Sequence, residues 1–148
     1  MIEILKYFAY GSNLDKEQMK DRCPDSEPLS AVQLVNYKLL YRRGVATIEK
    51  SLLDIVYGAV YDISEYDLAN LDRYEGYPDY YQRQTYQLKR LDNGELIEAI
   101  GYYMEAEKFE KSPPTENYYQ IIEKGYRDWN LPVEHLEQNL IDFKNSME

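Results

Sequence analysis

Apolar and polar residues alternate with a period of two in four stretches of this chain: Ala31 to Tyr41, Ile55 to Ile63, Tyr81 to Leu91 and Leu96 to Met104. Successive side chains of a strand face opposite sides, so each stretch predicts a strand. Ile4 to Tyr10, rich in β-branched and aromatic residues, predicts a fifth. Asp92-Asn93-Gly94 separates the last two alternating stretches and predicts a hairpin, because Asn and Gly tolerate the positive φ angles of tight turns. Elsewhere the period lengthens. Leu14 and Met19 suggest a first helix, capped by Ser12 or Asn13 and ended near Arg22 by Pro24 and Pro28. Ser64 caps a second, with Asp67 at its third position, Leu68, Leu71 and Tyr74 on one face, and Gly76 and Pro78 as its stop. Pro113-Pro114-Thr115 opens a third that runs to about Trp129, and Pro132 opens a fourth that runs to about Phe143. Strands joined partly by hairpins and partly through helices imply an α+β fold: a small mixed, mostly antiparallel β-barrel with surrounding helices.

Composition narrows this picture. At 148 residues the chain suits one domain spanning 1–148. One cysteine, Cys23, excludes an internal disulfide, and one histidine, His135, leaves too few soft ligands for a zinc site, so no metal is expected. The sequence has no nucleotide fingerprint, and no organic cofactor is expected either. A net charge of −10 repels a phosphate backbone and argues against nucleic acid as a partner. No apolar run is long enough to span a bilayer, and Glu3 and Lys6 interrupt the start, so neither a membrane nor a leader is expected and the cytoplasm is the default location. A homodimer is compatible with the chain. Tyrosine is the outlier, with 17 residues against 3 Phe and 1 Trp. Such a surplus suits a core with a partly wet cavity, in which rings pack and hydroxyls find polar partners. Biased codon usage is an equal explanation.

Two places offer chemistry. Tyr7-Phe8-Ala9-Tyr10-Gly11-Ser12-Asn13 runs from a strand through a glycine toward a helix, and free N–H groups at such a junction suit a carboxylate, a phosphate or an acyl-transfer oxyanion. Glu75 lies in the last turn of the Ser64 helix. The negative end of a helix dipole disfavours its charged form, and burial among tyrosines would raise its pKa toward the range of general acid and base work. Cys23 reads as structural, His135 as part of a solvated helix face, and Trp129, Ile121 and Ile122 as packing of the C-terminal helices. The basic pair Arg42-Arg43 suits either an anionic substrate or a solvated strand end.

Taken together these segments are similar to the γ-glutamylcyclotransferase family. Tyr7 to Leu14 resembles the family's opening signature, and Leu71-Asp72-Arg73-Tyr74-Glu75-Gly76 resembles the segment that carries its catalytic glutamate. Gly44 to Ile48, Val56 to Tyr61, Ser112 to Tyr118, Gly125 and Asn130-Leu131-Pro132 resemble family segments in the same order. The resemblance implies a barrel-like fold that takes a small γ-glutamyl substrate. Tyr7, Phe8, Ala9, Tyr10, Gly11, Ser12, Asn13, Tyr81 and Tyr118 would bind it, and Glu75 would be the proton acceptor. The implied reaction closes 5-oxoproline and frees an amino acid or amine, without a cofactor. Neighbouring acids such as Asp72 and Asp79 would have no part in it. Two alternatives remain: a non-catalytic small-molecule binding domain, and a cyclotransferase acting on larger amines or antibiotic precursors. Tyr77-Pro78-Asp79-Tyr80-Tyr81 is shorter than in animal enzymes and resembles bacterial relatives, leaving Tyr80 and Tyr81 as alternatives for one position.

Overall fold

The structure, a computed structural model, describes residues 4–148; Glu3, which interrupts the apolar start, lies outside the described residues. Five strands close a barrel: β1 (Leu5–Ala9), β2 (Glu27–Arg42), β3 (Val45–Ile63), β4 (Gln82–Arg90) and β5 (Leu96–Tyr103). Their order around the barrel is β1, β3, β2, β4, β5. All neighbours pair antiparallel except β1 and β5, which run parallel where Tyr7 meets Ile100. Four helices accompany the barrel among the described residues: α1 (Lys16–Arg22), α2 (Glu65–Glu75), α3 (Glu116–Asp128) and α4 (Val133–Ser146). None is long and apolar enough to cross a membrane.

The predicted hairpin between β4 and β5 is present, with the Gly94 N–H donating to the Arg90 carbonyl at 3.0 Å. β2 and β3 are longer than the alternation suggested, and they meet at Arg43-Gly44, where both φ angles are positive, 55° and 75°. Such a turn matches the right-handed twist of the strands it joins. The polar run Glu49-Lys50-Ser51 and a register shift between Val35 and Tyr37 obscure the alternation there.

The first helix begins later than expected. Ser12–Leu14 forms a 3₁₀ turn, and Asp15 is the cap of α1, its carboxylate accepting from Glu17 N–H at 3.0 Å and Gln18 N–H at 3.2 Å. Neither Ser12 nor Asn13 caps, because Asn13 is drawn into the barrel, where its amide donates to the Tyr7 hydroxyl at 2.9 Å. Helix α3 then locks this turn. Lys124 pairs with Asp15 at 3.1 Å, the Trp129 indole donates to the Leu14 carbonyl at 3.0 Å, and Gly125 lies directly against the Leu14–Asp15 backbone. Ile122 is fully buried beneath it.

His135 differs from the solvated reading. It is half-buried, its Nε2 lies 3.0 Å from the Ile55 carbonyl, and its ring meets Tyr57 edge-on. Helix α4 buries Leu136 and Phe143, and position 135 falls beside that face while Glu134 and Glu137 point outward. Cys23 is buried, donating to the Asp67 carbonyl, and burial pushes its thiol up to about 12, which suits a packing role.

Gly125 yields the first prediction. A Cβ there would stand 2.7 Å from the Leu14 carbonyl carbon and 2.8 Å from the Asp15 nitrogen, so Gly125→Ala must push the helix off the turn. Overpacking of this kind costs about 1–3 kcal/mol. Urea unfolding should show that loss, and an unchanged midpoint would contradict the packing described.

Candidate active site

Helix α2 carries Glu75 as its last residue. Ser64 accepts from Asp67 N–H while the Asp67 carboxylate accepts from Ser64 N–H, closing a reciprocal cap at the start. Gly76 ends the helix at φ 66°, a conformation that costs glycine little and other residues more, and a Cβ there would meet the Tyr80 ring at 2.6 Å. One turn before Glu75, Asp72 accepts from Arg83 at 3.0 and 2.9 Å and from the Tyr102 hydroxyl at 2.7 Å. Asp72 is therefore an anchor that ties the end of α2 to β4 and β5. Leu68 and Leu71 face the core as predicted, whereas Tyr74 is exposed, its ring covered on one side by the Arg22 guanidinium.

These elements wall a cavity of about 420 Å³, a size suited to a small molecule. Tyr7, Tyr10, Gly11, Ser12, Asn13, Glu75, Tyr81 and Tyr118 line it. Phe8 and Ala9 do not. Ala9 is held in the β1–β3 ladder opposite Ala59, and Phe8 packs on Tyr10 and Tyr86, so both are buried away from the wall. Tyr80 and Tyr81 both reach the cavity: Tyr81 is buried and donates to the Ala46 carbonyl at 2.6 Å, while Tyr80 is exposed and lies under the Arg43 guanidinium. Sequence reasoning missed Arg22, Arg73, Tyr74, Tyr102, Val45 and Ala46, which complete the wall with Gly76. The basic pair splits. Arg42 is buried on Glu49 at 2.7 Å and on the Phe109 carbonyl, and only Arg43 faces the cavity.

The electrostatics single out one group. Burial raises Glu75 from 4.5 to about 7, with Arg22 pulling the other way. Burial also lifts the hydroxyls of Tyr7, Tyr10 and Tyr81 well above the usual phenol range and that of Tyr118 to about 12. All four stay protonated at neutral pH. Glu75 is thus the lining side chain whose charge changes near neutrality. Three guanidinium groups, Arg22, Arg43 and Arg73, line the same cavity in a chain of net charge −10, and Arg22 is the one that acts on this carboxyl. Gly11 has an ordinary negative φ of −117°, so its requirement is space: a Cβ would stand 3.3 Å from the Ala46 Cβ and 3.5 Å from the Tyr118 hydroxyl. In the 3₁₀ turn the N–H groups of Gly11, Ser12 and Asn13 precede the first internal bond, Leu14 N–H to Gly11 carbonyl at 3.1 Å, and have no partner within the turn. Among the described residues no group of three or more His, Cys, Asp or Glu side chains is arranged to hold a metal ion.

A closed barrel with a donor-rich cavity around one proton-exchanging carboxyl defines a small-molecule site fit for acid and base chemistry. The chain belongs to the gamma-glutamyl cyclotransferase, AIG2-like family, whose pattern matches residues 7–129. It is 30% identical to the gamma-glutamylcyclotransferase of Homo sapiens over 92% of this chain and 77% of that protein. It is 30% identical to that of Bos taurus over 90% of this chain and 76% of that one. A solved structure of a gamma-glutamyl cyclotransferase superposes with a TM-score of 0.85 at 29% identity, covering 93% of this chain and 86% of its own. The likeness of the segment after Glu75 to bacterial relatives draws no support from these matches.

Proposed function

We infer that this chain is a γ-glutamylcyclotransferase. It releases 5-oxoproline and a free amino acid or amine from a γ-glutamyl amide. In this reading Glu75 is the proton shuttle, supported above all by its place at the wall of a cavity beside buried tyrosines whose hydroxyls are raised above the usual phenol range. The substrate brings its own nucleophile. Its α-amine is tethered to the γ-carbonyl it attacks, and closing a five-membered ring proceeds at a high effective molarity, of order 10⁵–10⁸ M in favourable cases.

Two protons must leave the α-nitrogen, and two must reach the departing nitrogen if it leaves as an ammonium ion. Ionised Glu75 takes the first from the α-ammonium. The freed amine forms the new C–N bond, and the carbonyl electrons move to oxygen. Protonated Glu75 gives its proton to the departing nitrogen and then removes the second from the ring nitrogen. Collapse of the oxyanion breaks the old C–N bond, and Glu75 passes on the second proton and ends ionised. A carboxyl near neutral affinity serves both directions. The sequence of steps needs no metal or cofactor. Three guanidinium groups favour a substrate with two carboxylates, a γ-glutamyl amino acid, over a neutral amine or a larger precursor. A cytoplasmic location belongs to the same reading, and its support is the lone free thiol.

Two measurements test the assignment. Glu75→Gln keeps size and removes the base, so kcat for 5-oxoproline release from γ-glutamyl-alanine should fall about 10²- to 10⁴-fold with KM changing much less. The wild-type rate should also decline as pH drops below about 7, because the folded carboxyl is then protonated and cannot accept. Near-normal turnover by the variant would remove Glu75 from the mechanism. For the loop, Gly11→Val should cost at least about 10²-fold in kcat/KM through crowding against Ala46 and occupation of the space beside Tyr118, and Ser12→Ala less than about tenfold, since the loop binds through its backbone. The reverse order would show that the Ser12 hydroxyl is the binding group.

A further inference from the structure

Five tyrosine hydroxyls lie within electrostatic reach of Glu75: those of Tyr7, Tyr10, Tyr81, Tyr102 and Tyr118. A phenol has one proton to donate, so following that proton shows what each can offer a ligand. Tyr10 gives its proton to the Tyr102 carbonyl at 2.7 Å, Tyr102 to Asp72 at 2.7 Å, and Tyr81 to the Ala46 carbonyl at 2.6 Å. Those three can only accept. Tyr118 is the opposite case, because its oxygen accepts from the Ala46 N–H at 3.0 Å and from the Ser12 side chain, and no carbonyl takes its own proton, which is left for the cavity. The N–H and the carbonyl of one residue, Ala46, thus set two neighbouring tyrosines to opposite polarity. Tyr7 also keeps a proton, but its oxygen accepts from Asn13 and its ring is buried between Tyr61 and Tyr102.

The position of Tyr118 decides between the two remaining donors. Its hydroxyl would stand 3.5 Å from a Cβ at Gly11, beside the loop whose backbone N–H groups have no partner within the turn. A carboxyl that serves both nitrogens of the reaction is necessarily near the carbon that joins them, and the oxyanion grows on that same carbon. We propose that the Tyr118 hydroxyl donates the hydrogen bond that stabilises this oxyanion, together with the loop N–H groups, while Tyr81 accepts from a substrate N–H. No proton is transferred from Tyr118; its O–H stays intact while the carbonyl electrons move to oxygen and return. The proposal rests on the cyclotransferase reading above. Its affinity of about 12 makes the Tyr118 hydroxyl a stronger donor than the more deeply buried phenols around it.

The test compares Tyr118→Phe, Tyr81→Phe and Tyr7→Phe with wild type on γ-glutamyl-alanine, with melting temperatures to confirm folding. Removing an oxyanion donor costs about 10²- to 10³-fold in kcat, so Tyr118→Phe should show that loss with KM within about threefold. Tyr81→Phe and Tyr7→Phe should lose less than about tenfold in kcat. Replacing Tyr118 by 3,5-difluorotyrosine keeps the ring and strengthens the donor, and should retain kcat within about threefold of wild type below pH 7. A role in packing alone would not distinguish the fluorinated phenol from phenylalanine. Turnover by Tyr118→Phe within about threefold of wild type, or an equal kcat loss in Tyr81→Phe or Tyr7→Phe, would overturn the proposal while leaving the cyclotransferase reading intact. Absence of 5-oxoproline from the wild-type reaction would instead overturn that reading and this proposal with it.

Discussion

Holding one ionisable carboxyl half-buried at the end of a helix is the constraint around which this molecule is arranged. Burial and the dipole of α2 both act against the charged form of Glu75, and the Arg22 guanidinium offsets only part of that cost. Such a group relaxes toward solvent unless its backbone is held. Here the holding is covalent geometry at Gly76 and an ionic clamp at Asp72, whose two oxygens take Arg83 from β4 and whose Oδ1 also takes Tyr102 from β5. Arg83 and Tyr102 are themselves paired across β4 and β5, so the clamp rests on the barrel.

The surplus of tyrosine follows from the same constraint. A cavity that raises the affinity of a carboxyl must be poor in water, yet it must present donors to a polar substrate. Phenols satisfy both demands, because the ring desolvates and the hydroxyl is anchored on backbone. Tyr10, Tyr81 and Tyr118 are each tied to a main-chain carbonyl or N–H, so their directions are set by strands rather than by flexible side chains. Helix α3 completes the arrangement by bringing Tyr118 to the cavity and Gly125, Lys124 and Trp129 to the back of the loop. The same helix that shapes the loop therefore supplies the donor beside it.

Much of this was legible in the chain, and the boundary is physical. Ser64, Asp67 and Gly76 were readable because capping chemistry is local, and Asn93-Gly94 because a tight turn demands particular residues. Arg22, Arg73 and Tyr102 were not. Their convergence depends on closure of the barrel through the parallel β1–β5 pairing, which no short window encodes. The anchoring role of Asp72 was not legible for a related reason: its partners Arg83 and Tyr102 lie 11 and 30 residues away. Phe8 and Ala9 were assigned with the loop as a block, but both are buried within β1 and neither lines the cavity. Asp15 displaced Ser12 and Asn13 as a cap because Asn13 had a stronger claim inside the barrel, in its bonds to Tyr7 and Arg22.

The central claim is that one glutamate holds its proton to near-neutral pH because the fold desolvates it in the cavity wall. Labelling the protein with glutamate enriched in ¹³C at the side-chain carboxyl and following the resonances with pH measures this directly, without substrate. The account predicts a signal that titrates with a midpoint at about 7 and disappears in Glu75→Gln. A spectrum in which every glutamate titrates below about pH 5 would contradict it.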